Sequence, residues 1–322
     1  MEQILIVLAI ALVASYLIIP YFGKLAMKTG FVDQPNERKI HKEPIPLLGG
    51  FAMIAVFMAM LSGLRLMNWI EGTQYIGIMI ALALLLIAGF IDDYAKTRKK
   101  DFPALPKLLL QIAAAIVVVK CGIVMQGVSI PFSEAGYLSF PPLVGEILTV
   151  LWFVGLMNAI NWIDGMDGLA GGISAISAGT LMCVALVTGE MLSAVLAASV
   201  VGITLGYLKH NFHPAKILMG DTGSMFLGLV LGVVSVLGTL KAMTAVSVAI
   251  PVLALGLPIF DSFYVVFRRL LSGKSIHIAD KSHAHHRLLA TGLSQRQAVT
   301  FLYLIGICLG LSSVILTLVS MI

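Results

Sequence analysis

Residues 75–93 read YIGIMIALALLLIAGFIDD. Seventeen uncharged, mostly apolar residues lead into two adjacent carboxylates, Asp92 and Asp93. As a helix, the run to Ile91 is roughly 25 Å long, against ~30 Å for the hydrocarbon layer of a bilayer. The stretch reads as a membrane-crossing helix with chemistry at its end.

The whole chain agrees with that stretch. Of 322 residues, 59% are hydrophobic and 11% charged, where a soluble domain is roughly 25% charged. Mean hydropathy is +1.00. That leaves too little polar surface to coat a soluble particle. Disorder needs the opposite composition. Nine further windows resemble 75–91: 4–22, 47–66, 105–125, 143–160, 169–188, 191–208, 224–240, 244–264 and 298–320. Strands of a membrane barrel would alternate in polarity over about ten residues. These windows do neither, so the expected fold is all-α: a polytopic membrane helical bundle of about ten transmembrane helices, one domain over 1–322. Cys121, Cys183 and Cys308 lie inside apolar runs and form no framework of disulfides or metal ligands.

Charge sets the expected topology. With residues at span edges assigned to the nearest loop, 18 of 21 Lys and Arg fall in five connections: 23–46, 92–104, 161–168, 209–223 and 265–297. All seven histidines lie there too. The positive-inside rule puts these loops in the cytoplasm and both termini outside. Glu2 and the absence of a basic residue before 4–22 argue for a retained helix over a cleaved signal. The formal charge of +5 therefore reads as topology, not as a nucleic-acid surface. A carrier would place ionisable groups near the bilayer midplane. Here they crowd one face, which favours a membrane enzyme over a transporter.

Five constellations lie on that face. Asp92-Asp93 suits a hard divalent cation, or equally a solvated helix end balanced by Lys96, Arg98, Lys99 and Lys100. In 158–168, Asn158, Asn161, Asp164 and Asp167 recur at every third position, with Gly165 and Gly168 permitting close backbone approach to a ligand. Gly220-Asp221-Thr222-Gly223-Ser224 opens a span. Asp221 or Thr222 reads as its N-cap, and the free N–H groups as a phosphate site once a metal offsets Asp221. His283, His285, His286 and Arg287 form a cluster without cysteine, better suited to an anion than to zinc. In 33–50, prolines stiffen a segment that presents Arg38, Lys39 and His41 at headgroup height. The GxxxxGK[ST], HExxH and GxSxG patterns are absent.

Taken in order, DxPxxRKxHxxPxPxxGG, DD, NxxNxxDGxDGLA, GDxGS and HxHH resemble the polyprenyl-phosphate N-acetylhexosamine-1-phosphate transferase family, over Asp33 to Arg287. The HAHH segment and Trp162 resemble the WecA/TagO-type branch, which uses UDP-GlcNAc, more than the related MraY-type branch. The resemblance implies transfer of N-acetylglucosamine 1-phosphate from UDP-GlcNAc to undecaprenyl phosphate, releasing UMP. This would be the first membrane step of a cell-envelope polysaccharide or teichoic acid. The alternative within the family is phospho-MurNAc-pentapeptide transfer. It also implies a Mg²⁺ cofactor, with Mn²⁺ as a substitute. Asp221 would be the metal ligand with Asp164 beside it, and Asp92, Asp93 and Asp164 the catalytic carboxylates, Asp92 as base. Asn158, Asn161 and Asp167 would line the nucleotide region, and His283, His285, His286 and Arg287 the sugar diphosphate. Arg38, Lys39 and His41 would hold phosphate. Asp261 also matches the family, without an evident role. The implied partners are a UDP-sugar, undecaprenyl phosphate and the lipid bilayer of a bacterial inner membrane; a homodimer stays open.

Overall fold

The structure is a computed structural model that describes residues 1–34, 43–98, 102–129, 137–238, 248–272 and 283–321. The chain is an all-α polytopic bundle. Its helices are α1 (Glu2–Thr29), α2 (Gly49–Leu66), α3 (Gly72–Thr97), α4 (Ala104–Lys120), α5 (Pro142–Ile163), α6 (Leu169–Thr188), α7 (Met191–Asn211), α8 (Gly220–Gly238), α9 (Ala249–Ala254), α10 (Gly256–Leu271), α11 (Ala284–Ala290) and α12 (Gln295–Val319). Two short antiparallel ribbons accompany them. One pairs β1 (Val32–Asp33) with β2 (Ile45–Pro46), and the other pairs β3 (Gly127–Ser129) with β4 (Tyr137–Ser139).

Each of the ten apolar windows holds helix. Among the described residues, eight helices are long and apolar enough to cross a membrane. The other two windows depart from a straight span for local reasons. The window 105–125 becomes the 17-residue α4, which stops at Lys120, before Gly122 with φ +94°. The window 244–264 is broken at Leu255, between α9 and α10. Pro258 has no N–H for the carbonyl of Ala254, so the ladder is interrupted there. In α10 the exposed face is apolar, with Phe260, Phe263 and Phe267. The face turned inward carries Asp261, Ser262 and Arg269.

α8 is the central helix. It packs on α2, α3, α5, α6 and α7, and every residue from Asp221 to Gly238 is buried. α1 lies on the outside against α7. Pro20 within α1 leaves the carbonyl of Tyr16 without its helical donor, and Nε2 of His210 donates to it at 3.1 Å. His210, which the sequence assigns to a loop, therefore belongs to the last turn of α7 and repairs a proline break.

Candidate active site

The polar ends of α3, α4, α5 and α8 meet at one end of the bundle. Asp92, Asp93 and Asp221 are all buried, with ligand oxygens within 4.8 Å of one another. Two lysines lie among them. Nζ of Lys96 is 3.1 Å from Asp92 and 3.7 Å from Asp93, and it donates to Asp221. Nζ of Lys107 also donates to Asp221 and lies 3.7 Å from Asp92. The local spacing explains part of this. Lys96 follows Asp92 by four residues on one helix and faces it from the next turn.

The two neighbouring carboxylates do different work. Asp93 is 0% exposed. Its Oδ1 accepts from the backbone N–H of Asp221 (2.9 Å), and its Oδ2 from the backbone N–H (3.2 Å) and the hydroxyl (2.8 Å) of Thr222. Asp93 is thus the cap of α8, supplied from α3. This corrects the expectation that Asp221 or Thr222 caps the helix and that its free N–H groups await a phosphate: a carboxylate already occupies the positive helix end. Gly220 makes the fit possible. Its φ is +64°, and a Cβ there would stand 2.6 Å from Oδ2 of Asp93. Asp92 instead turns toward Lys96, Lys107 and Asp221.

The asparagines and aspartates of 158–167 also separate. Oδ1 of Asn161 accepts from Lys107 (3.3 Å), and its Nδ2 donates to the hydroxyl of Ser224 (2.8 Å), tying α5 to α4 and α8. Asn158 points to α4, where its amide donates to Gln111 (2.9 Å). Asp167 is not among the three clustered carboxylates. It pairs with Nδ1 of His213 (2.8 Å) and accepts from the N–H of Ala215 (3.1 Å). Asp164 follows the end of α5. Burial, and then the nearby charge of Asp221, push its carboxyl up to about 7. Gly165, expected to admit a ligand, instead admits His285: a Cβ on it would stand 2.9 Å from the imidazole Cε1.

The histidine cluster sits beside this end of the bundle. Nδ1 of His283 pairs with Asp261 Oδ2 (2.7 Å), and Asp261 Oδ1 accepts the N–H of Ala284 (2.8 Å). Asp261 thereby fixes the start of α11 and leaves only Nε2 of His283 for other contacts. His285 is buried between His283 and His286, with ring centroids 5.8 and 4.3 Å away. Burial, with the two neighbouring imidazoles, pulls its pKa down to about 3. His285 therefore stays neutral at the centre of the cluster near pH 7. Arg287 is exposed, stacked on the ring of Tyr264 at 4.7 Å. Arg38, Lys39 and His41 lie outside the described residues.

A groove of about 1170 Å³ runs from this site into the bundle between α4, α5, α9 and α10. Its near end holds Lys107, Asn161, Trp162, Arg269 and His283, and its far end Leu148, Met125 and Phe140. Along α5 it extends from Leu148 to Trp162, roughly 21 Å at 1.5 Å per residue. Its walls are mostly apolar.

Glycosyl transferase family 4 matches residues 75–239, which span α3 through α8 and hold both Asp92-Asp93 and Asp221. The chain belongs to that family. Among family relatives, it is 40% identical over 320 residues to the probable undecaprenyl-phosphate N-acetylglucosaminyl 1-phosphate transferase of Bacillus subtilis, covering 98% of this chain and 86% of the relative. It is 34% identical to the decaprenyl-phosphate N-acetylglucosaminephosphotransferase of Mycolicibacterium smegmatis, covering 91% and 77%. It is 29% identical to the phospho-N-acetylmuramoyl-pentapeptide-transferase of Wolbachia sp. subsp. Brugia malayi, covering 91% and 93%.

The fold brings together Asp92, Asp93 and Asp221 from two of the sequence motifs, along with two lysines that no motif marked. Lys96 and Lys107 read as topogenic charge, yet both lie in the acidic cluster. A signal was present: Lys107 and Gln111 are the only polar residues of 104–119, four apart and so on one helix face.

Proposed function

We propose that the protein transfers N-acetylglucosamine 1-phosphate from UDP-GlcNAc to undecaprenyl phosphate and releases UMP. The observation that carries this reading is the mostly apolar groove ending on a buried cluster of three carboxylates and two lysines. A long isoprenoid needs the first, and two phosphate-bearing substrates need the second. The proposed setting is a bacterial inner membrane, with ten crossings, both termini outside and the site on the cytoplasmic face, where UDP-sugars are found. One integral membrane domain would span 1–322, with the five cytoplasmic loops, four of them basic, as its active face.

The residues fit a divalent cation. The donors are hard carboxylate oxygens, as Mg²⁺ prefers. Three carboxylates against two ammonium groups leave one negative charge uncompensated in a buried site. Asp92, Asp164 and Asp221 would hold Mg²⁺, with Mn²⁺ a substitute. Bound there, the ion would neutralise charge on the diphosphate. Asp93 acts through structure, holding the end of α8 that presents Asp221. Lys96 and Lys107 offset repulsion between the two polyanions. An oxygen of the lipid phosphate attacks the β-phosphorus of UDP-GlcNAc, and the bond to the UMP oxygen breaks. The second pKa of a phosphate monoester is about 6, so this oxygen needs little help from a base at neutral pH. Asp92 then serves mainly to hold charge in place. Asp261 orients His283 toward the sugar diphosphate, with His286 beside it.

The test is UMP release by purified protein given undecaprenyl phosphate and Mg²⁺ with either UDP-GlcNAc or UDP-MurNAc-pentapeptide. Release with the first donor, abolished by EDTA and restored by Mg²⁺ or Mn²⁺, is expected. Release with the second alone would transfer the reading to the pentapeptide reaction. Release with neither would end it.

A further inference from the structure

Gln111 carries a donor that the folded chain leaves without an acceptor. It lies on α4 four residues beyond Lys107, about 6 Å deeper into the bundle, in the wall of the groove and 0% exposed. Its orientation is fixed by a short chain of necessity. Nδ2 of Asn158 meets the backbone carbonyl of Val154 at 2.8 Å and the side-chain oxygen of Gln111 at 2.9 Å. A carbonyl only accepts, so the Asn158 atom is the amino group. That amino group can meet Gln111 only through oxygen. The Gln111 Nε2 therefore points the other way, and it has no partner. A second groove residue shows the same deficit, since the buried hydroxyl of Ser262 on α10 is also unpaired. Buried donors are rarely left unmet, and an isoprenoid tail offers them no acceptor.

We infer that Gln111 is a substrate-binding residue whose Nε2 donates to a phosphoryl oxygen of the prenyl phosphate, with Asn158 as the residue that positions it. This rests on the function proposed above. The phosphate is the one strong acceptor such a lipid brings, and Lys107 stands one turn away on the same face of α4. Together they define a short polar rung at the head of an apolar groove, a charged donor followed by a neutral one. Asn158 thus acts from behind Gln111 and not on the nucleotide.

Gln111→Met keeps the length of the side chain and removes the donor. A hydrogen bond to a charged group corresponds to roughly 10- to 100-fold in binding. Farnesyl phosphate binding to the whole protein, measured by calorimetry, should weaken by that factor, while UDP-GlcNAc binding stays within twofold of wild type. In turnover, KM for undecaprenyl phosphate should rise and KM for UDP-GlcNAc should hold. Asn158→Asp, which removes the amino group facing Gln111, should shift the same KM in the same direction. Farnesol and dioleoyl phosphatidate serve as arms lacking the phosphate or the prenyl chain. Equal binding of farnesyl phosphate by wild type and Gln111→Met, with UDP-GlcNAc binding intact, would overturn the inference even if turnover proves the reaction. Phosphatidate binding with the same dependence on Gln111 would overturn its assignment to prenyl phosphates. Loss of farnesyl phosphate binding in the variant of a wild type that releases no UMP would uphold the subsite and refute the reaction.

Discussion

Asp93→Asn separates the two members of the acidic pair. Asp93 accepts three hydrogen bonds from the first turn of α8 and is wholly buried. An asparagine has one acceptor oxygen. Placed where Oδ2 lies, it keeps both bonds to Thr222, but its amino group then faces the N–H of Asp221, donor against donor. One bond to a charged acceptor, about 1.5–3 kcal/mol, is lost, and a buried N–H is left unpaired. The expected cost is about 2–3 kcal/mol, after allowing that relief of repulsion from Asp92 and Asp221 returns part of it. Asp92→Asn removes a charge that caps nothing and should leave stability unchanged or raise it. Thermal unfolding in detergent, followed by tryptophan fluorescence, reads both. A drop of several degrees is expected for Asp93→Asn alone, at roughly 2–4 °C per kcal/mol for chains of this order. Wild-type stability in Asp93→Asn, or equal losses in the two variants, would refute the assignment of Asp93 to the cap.

Three further outcomes follow from the same geometry. Asp221→Ala should reduce kcat more than Asp92→Asn, because both lysines and the proposed cation converge on Asp221; equal residual UMP release in the two would count against this order. His285 is held near pKa 3 when folded against 6.5 unfolded, so between those values the unfolded chain binds the extra proton and stability drops as pH drops, by about 2 kcal/mol at pH 5; unfolding curves from pH 7.5 to 5 should lose that dependence in His285→Asn, and an identical loss in the variant would rule His285 out. Asp164 has the opposite sign: its folded pKa is raised to about 7, so the folded chain holds the extra proton and loses stability as pH climbs from about 4 to 7. Without divalent cations, Asp164→Asn should be more stable than wild type at pH 8 and less so by comparison at pH 5, while UMP release is lost; a variant no more stable at pH 8 would show that the carboxylate is well solvated.

What could be read in the chain before folding was whatever repeats or clusters locally. The apolar windows marked every long helix, since burial in lipid needs only length and apolarity. Asp92-Asp93, Asn161 and the GDTGS stretch announced a site because polar groups at the end of an apolar run are costly unless used. The roles within the site were not legible. Asp93 meets the N–H of Asp221 across 128 positions, and no local spacing separates it from Asp92. Asp167 looked like a member of the acidic row, but folding gives it to His213. The break at Leu255 did have a signal, Pro258, masked by the hydrophobicity around it. The groove is a space between helices and has no sequence of its own.

The site is built from helix ends rather than from loops, and this bears on how two polyanions can meet. Asp92, Lys96, Lys107, Asn161 and Asp221 all belong to the helices α3, α4, α5 and α8, whose backbones are fixed by packing on one another. Fixed charges in a poorly solvated site act more strongly than the same charges in water. The depth matters as much as the rigidity. A lipid phosphate anchored by a long tail cannot rise far from the headgroup layer without exposing hydrocarbon. With Lys107 at the near end of the groove, the proposed reaction would hold the phosphate where the tail already rests and leave the water-soluble nucleotide to make the approach. On the proposed reaction, lysines that read as mere topogenic charge would fix which substrate moves and which waits.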